Sequence, residues 1–282
     1  MILKNIFYRL AMMALSLTAS IVSAQWPYDV PYVPSPQIVV EEMLRVANVT
    51  KDDFVMDLGS GDGRILITAA RKFGARGIGV DLNESLIFQS EENARIANVA
   101  ERVQFLQQDL FKTDLSKASV ITMYLLPGVN MRLRPALLAL KPGTRIVAHD
   151  FDLGDWQPDV KVTIRKNVML WIVPAKVQGR WRLQLPLPAG AQSWDVEIRQ
   201  KHQEIDGVVR VADRPPAGLW QASLRGERVR FVIVDNSDRE NEANMYFEGV
   251  VRDNVMEGEF RRGVGEVQTR HQWRATRVGA AP

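Results

Sequence analysis

The strongest chemical signal in the 282-residue sequence is Asp57-Leu58-Gly59-Ser60-Gly61-Asp62-Gly63-Arg64, set between an apolar strand pattern and a helical one. Glycines at alternate positions let the backbone turn tightly and approach a ligand, and the helix that follows offers free N–H groups at its start. A dinucleotide turn needs a further glycine three residues beyond Gly61, where Arg64 stands instead. Asp57, two residues before the first glycine, would repel a pyrophosphate and suits a cationic ligand. Two more acids follow at strand ends. Asp81, in Val80-Asp81-Leu82-Asn83, stands about 20 residues on, where a carboxylate can bind both hydroxyls of a ribose. Asp109, in Gln108-Asp109-Leu110-Phe111, is placed to accept a hydrogen bond from the exocyclic amine of adenine. Together the three acids describe a pocket for an adenosine bearing a positive sulfonium, so S-adenosylmethionine fits better than NAD.

Positioning these acids requires alternating strands and helices. Strands are expected at Phe54 to Leu58, Gly77 to Val80, Val103 to Leu106, Val120 to Leu125 and Arg145 to Ala148. Helices are expected at Arg64 to Phe73, Glu84 to Ala97 and about Val129 to Leu140, giving a Rossmann-like α/β sheet with right-handed crossovers. Val160 to Ile164 and Val168 to Val173, split by Arg165-Lys166-Asn167, complete seven strands as a hairpin with an antiparallel edge. No crossover helix is legible between His149 and Asp159. Upstream, Ser35 as N-cap and Pro36 at the first helical position open a helix whose core face is Val39, Val40, Met43, Leu44, Val46 and Ala47.

After Pro174 the pattern changes to period two with frequent turn residues, and about eight short strands are expected. Trp181, Trp194, Trp220 and Trp273 are spread through this segment, with Gly207, Gly226, Gly249 and Gly258 expected where strands turn or bend. The segment reads as a small antiparallel β-barrel or sandwich. The expected organisation is a targeting segment over residues 1–24, a Pro- and aromatic-rich arm over 25–35, a cofactor-binding domain over 36–175 and an all-β accessory domain over 176–282.

Residues 31 to about 160 resemble a class I S-adenosylmethionine-dependent methyltransferase. In that family Asp57 with Gly59, Ser60, Gly61 and Gly63 approaches the methionine moiety, Asp81 with Leu82 the ribose, and Asp109 with Leu110 the adenine. A narrower resemblance rests on Pro31-Tyr32-Val33-Pro34, the glycine turn through Ile65, and Leu82-Asn83. It is to the lysine methyltransferases that modify the c-subunit of ATP synthase and the adenine nucleotide translocase, although those carry Glu where Asp81 stands. This resemblance adds Tyr32 to the cofactor site and implies a protein lysine as methyl acceptor, in a membrane-associated partner. It also places the acceptor pocket at Tyr124 and Pro127, which would be the catalytic positions. Tyr124 replaces the Asp or Asn of the Asn-Pro-Pro-Tyr nucleic-acid enzymes. Asp62 is expected as a turn residue solvated at the helix start, and His149 as a structural, hydrogen-bonded histidine rather than a base.

Composition excludes several classes. With 36 Lys and Arg against 33 Asp and Glu, the charge of +3 gives no nucleic-acid footprint, so no nucleic acid is expected as partner. Zero cysteines and three scattered histidines leave no metal site expected. Lys4 and Arg9, an apolar run of 13 residues from Leu10 to Val22, and Ala24 before Gln25 read as an export signal, too short for a membrane span. This points to an exported or periplasmic chain, with membrane-anchored or cytoplasmic retention as the alternative. Two other functional readings stay open: a small-molecule methyltransferase, and an exported binding protein that retains the pocket without turnover.

Overall fold

The computed structural model describes residues 32–187, 190–212, 214–235, 243–264 and 267–279. The expected export signal and the arm before Tyr32 lie outside the described residues.

A seven-stranded sheet has the order β3-β2-β1-β4-β5-β7-β6. Its strands are β1 (Phe54–Leu58), β2 (Arg76–Asp81), β3 (Val103–Gln107), β4 (Val120–Met123), β5 (Arg145–His149), β6 (Val160–Ile164) and β7 (Lys166–Ile172). The first five are parallel, so glycine turn and acids all emerge at one edge. β7 runs antiparallel between β5 and β6, which returns β6 to the direction of the parallel strands. The reversed strand is therefore inside the sheet, not at its edge as expected. The hairpin doubles back to place β7, rather than β6, beside β5. Residues 150–159 form the expected loop, with an isolated bridge between Leu153 and Trp156.

Four helices accompany the sheet: α1 (Gln37–Val46), α2 (Arg64–Phe73), α3 (Glu84–Ile96) and α4 (Pro127–Leu138). Residues 120–123 are all buried, as expected of a central parallel strand covered on both faces. In α1 the predicted apolar face is the buried one: Val39, Val40, Met43, Leu44 and Ala47 are sealed from solvent. Its start differs from expectation. Pro36 is the N-cap, and Ser35 makes no capping bond because its hydroxyl is committed elsewhere. α4 begins two residues earlier than expected, with Pro127 in its first turn, where a missing N–H costs nothing.

The C-terminal segment forms one nine-stranded antiparallel sheet, nearly closed into a barrel, which decides between barrel and sandwich. Its strands are β8 (Gly179–Leu187), β9 (Gly190–Lys201), β10 (Glu204–Arg210), β11 (Ala217–Gly218), β12 (Trp220–Arg225), β13 (Arg228–Asp235), β14 (Ala243–Arg252), β15 (Val255–Val264) and β16 (Val267–Val278). Their order is β11-β10-β9-β8-β16-β15-β14-β13-β12, and the two-residue β11 is too short to read from sequence. Along β9 (Gly190–Lys201), Trp194, Val196 and Ile198 turn inward while Asp195, Glu197 and Arg199 face solvent. The interior is filled by side chains, among them Phe231, Phe247 and Phe260, stacked with ring centroids 4.7 and 5.1 Å apart. Trp273 packs edge-on against Phe231 and Phe247 and donates its indole N–H to the carbonyls of Glu248 and Glu259. Gly249 and Gly258 face each other in mid-strand rather than at turns. A Cβ at Gly249 would lie 2.5 Å from the Trp273 ring, so this glycine makes room for the indole. Trp181 and Trp194 are interior too, whereas Trp220 is exposed.

The barrel touches the α/β sheet at its loops. The Ala175 amide donates to the Gly226 carbonyl at 2.8 Å, and Asp155 pairs with Arg134 of α4 and with Lys201 at the end of β9. Among the described residues no helix is long and apolar enough to cross a membrane.

One glycine tests the close β1–β2 pairing that sets the site. A Cβ at Gly77 would stand 1.9 Å from the Val55 carbonyl oxygen. Gly77→Ala is expected to cost about 2 to 3 kcal/mol, read as a lowered urea midpoint.

Candidate active site

The site is built at the carboxyl ends of β1, β2 and β3, three neighbours in the sheet. Asp57, the penultimate residue of β1, is 1% exposed. Its Oδ1 accepts a 2.6 Å hydrogen bond from the Thr122 hydroxyl on neighbouring β4, while Oδ2 is buried without a partner. Burial pushes the Asp57 pKa up to about 7, and the charges of Asp81 and Asp62 add to the rise, against the Thr122 hydrogen bond. A buried carboxylate oxygen lacking a donor, close to two other acids, is a site waiting for a cation.

After Leu58 the chain turns through Gly59, Gly61 and Gly63, all with positive φ. The amides of Gly59 and Ser60 donate to the Val80 carbonyl, and the Gly61 amide donates to Asp81 Oδ2 at 3.0 Å. Asp81 Oδ1 accepts from the Asn83 amide, so this carboxylate fixes both its own turn and the glycine turn. A Cβ at Gly63 would meet Phe105 at 2.6 Å and one at Gly59 would meet Leu125 at 2.8 Å, so these two also serve packing. The Ser60 hydroxyl is buried with no partner. Asp109 caps the short 3₁₀ turn Leu110–Lys112 through the Phe111 amide. Leu82 is exposed and Leu110 half-buried beside these acids.

Asp62 corrects the expectation of a solvated turn residue. It is buried and held by Arg64, whose Nη2 lies 2.6 Å from Asp62 Oδ2. The carboxyl stays below its usual range, because its hydrogen bonds from Arg64 and the Arg64 charge outweigh the burial that opposes them. The Tyr32 hydroxyl lies close to Asp62 and Arg64, and the Asp62 charge adds to the burial that raises the phenol's pKa. Its ring covers Gly61, where a Cβ would be 2.6 Å away, so the structure brings Tyr32 to the glycine turn.

At the positions expected to form the acceptor pocket, β4 ends at Met123, leaving Tyr124, Leu125 and Leu126 in a loop before Pro127. Tyr124 is half-buried and packs on His149, with ring centroids 3.9 Å apart; Leu126 and Pro127 are exposed. His149 is buried, and its Nδ1 shares a 2.8 Å hydrogen bond with the Ser35 hydroxyl. Burial lowers its pKa, so the ring is neutral near pH 7. Its Nε2 is buried without a hydrogen-bond partner. Sequence reasoning missed the partners Thr122, Arg64 and Ser35. Only Arg64 carried a signal, being two residues from Asp62.

The ANTKMT methyltransferase domain matches residues 57–160. The chain is 43% identical over 142 residues to a protein-lysine N-methyltransferase of Saccharolobus islandicus, covering 50% of this chain and 88% of that protein. It belongs to this methyltransferase family. The chain is 36% identical over 132 residues to the mouse adenine nucleotide translocase lysine N-methyltransferase but spans only 57% of that protein's length. Among solved structures, an RNA methyltransferase from Salinibacter ruber in complex with S-adenosyl-L-homocysteine is 49% identical, with a TM-score of 0.51. That match covers 51% of this chain and 96% of the Salinibacter chain. The enzyme's cofactor is S-adenosylmethionine, and the residues present fit it: an orphaned carboxylate oxygen and hydroxyl beside a glycine turn, with two further acids at the adjoining strand ends.

Asp57 yields a prediction in which stability and binding move in opposite directions. A carboxyl whose pKa is raised on folding favours the fold below its unfolded value, and that contribution is lost as pH rises through about 7. Cofactor-free Asp57→Asn is therefore expected to melt several degrees above the parent at about pH 8, with the gap closing in acid, by calorimetry. The parent's affinity for S-adenosylmethionine is expected to weaken as pH falls below about 7 and that of the variant to be weak throughout, by titration calorimetry.

Proposed function

We propose that this methyltransferase acts on a protein amine, the Nζ of lysine, in a membrane-associated partner. The observation that supports it best is a donor pocket on β1 directly beside an uncharged acceptor wall on β4, in a chain 43% identical to a lysine enzyme. When bound, S-adenosylmethionine supplies a methyl group activated by its sulfonium. In our reading Asp57 and Ser60, with the Gly59, Gly61 and Gly63 backbone, hold the cationic methionine end. Asp81 and Leu82 take the ribose, Asp109 and Leu110 the adenine, and Tyr32 covers the pocket.

Tyr124 and Pro127 form the wall along which the amine approaches in line with the breaking carbon–sulfur bond. The carbon–nitrogen bond forms as that bond breaks, so the chain's task is alignment and exclusion of water. A lysine of ordinary pKa costs about 4 to 5 kcal/mol to deprotonate at neutral pH, and this proton leaves to water before transfer. The name of the Salinibacter relative favours a second reading, an RNA acceptor. We further place the enzyme at or beyond the membrane, on the strength of Lys4, Arg9 and the apolar run from Leu10 to Val22.

Incubation of the full chain with methyl-labelled S-adenosylmethionine and membrane extract is expected to label protein, with methyl-lysine recovered after acid hydrolysis. Label in RNA would transfer the assignment to the second reading, and no label despite cofactor binding would leave a binding protein. Asp81→Ala is expected to weaken cofactor binding at least about tenfold, and Tyr124→Ala to lower kcat more than cofactor affinity.

A further inference from the structure

Ser35 stands where a serine would ordinarily cap the helix that follows it. Its hydroxyl instead bonds His149 Nδ1 across 114 residues, and both residues are almost wholly buried. The Ser35 carbonyl accepts from Arg64 Nη1 at 3.0 Å, the same guanidinium that holds Asp62. Tyr32 lies beside this pair, and its ring covers Gly61. The segment Tyr32–Pro36 is thus fastened at two points, one on the glycine turn and one on the tip of β5. Pro34 between them restricts the backbone. Tyr32 is 45% exposed, so little besides these fastenings holds it over the turn.

We propose that Ser35 and His149 are positioning residues: their hydrogen bond clasps the segment Tyr32–Pro36 across the donor pocket and thereby sets how tightly the pocket retains its nucleoside. The proposal rests on the cofactor assignment given above. His149 acts through Ser35 on one side and through its ring contact with Tyr124 on the other, so one side chain serves both the donor cover and the acceptor wall.

The test uses the full chain, titrated with S-adenosylhomocysteine by calorimetry, with amide hydrogen exchange of residues 33–41 measured with and without it. Ser35→Ala removes only the hydroxyl. His149→Phe keeps an aromatic ring beside Tyr124 but loses the hydrogen bond, and His149→Gln keeps a partner for Ser35 without the ring. Ser35→Ala and His149→Phe are each expected to weaken binding about fivefold and to speed exchange in the segment. The double variant should be no worse than either single one, because both remove the same bond. His149→Gln should bind within about twofold of the parent. Affinity and exchange unchanged in Ser35→Ala, or a double variant equal to the product of the single effects, would overturn the clasp while leaving the cofactor assignment intact. A parent chain that ignores S-adenosylhomocysteine would remove that assignment and the clasp together. Should His149→Phe fail to fold, Ser35→Ala decides alone.

Discussion

Asp57 is a carboxyl placed where a carboxylate is costly: at the end of a buried strand, one oxygen satisfied by Thr122 and the other by nothing. Withdrawing a charge from water raises its free energy unless a partner of opposite sign arrives. Much of the surrounding architecture follows from that tension. Parallel strands bring Asp57, Asp81 and Asp109 to one edge of the sheet, where the glycine turn follows β1. The charges of Asp81 and Asp62 add to the cost of ionising Asp57, a cost that the cationic nucleoside of our proposal would offset. Arg64 does not supply this relief to Asp57, because its guanidinium is bound to Asp62 and to the Ser35 carbonyl.

The acids were legible in the sequence because each obeys a local rule, a polar residue closing an apolar strand before a turn. Strand and helix order was legible for the same reason, as was the buried face of α1. What local pattern could not reveal were choices settled by distant partners. Ser35 obeys the cap rule in sequence, yet a buried imidazole on β5 competes for its hydroxyl and wins. Asp62 looked like a solvated turn residue until Arg64 and Tyr32 closed over it. The hairpin β6–β7 was visible, but which of its strands pairs with β5 depends on the tertiary fit of β7 against its neighbour. In the barrel, Gly249 and Gly258 carried the signature of bends, whereas Gly249 admits the Trp273 indole and Gly258 lets the paired backbone approach closely.

Among its described residues the barrel holds no cluster of metal-ligating side chains. Its interior is occupied by its own aromatic side chains, and its outward arginines meet acids across the strands, as Arg182 meets Asp195 and Arg274 meets Glu257. Exposed pairs of this kind add little stability singly. Asp155 links the barrel to the α/β part, holding Lys201 of the barrel and Arg134 of α4, the helix that follows the Tyr124–Leu126 loop.

The most direct test of this account is the titration of Asp57 itself, followed by the carbon-13 shift of its carboxyl group and assigned by its absence from Asp57→Asn. Without cofactor the midpoint is predicted near pH 7, and addition of S-adenosylmethionine should move it down by at least about one unit. A midpoint in the ordinary aspartate range before any ligand is added, or one that does not move when the cofactor binds, would contradict the claim that a buried, uncompensated charge defines the site.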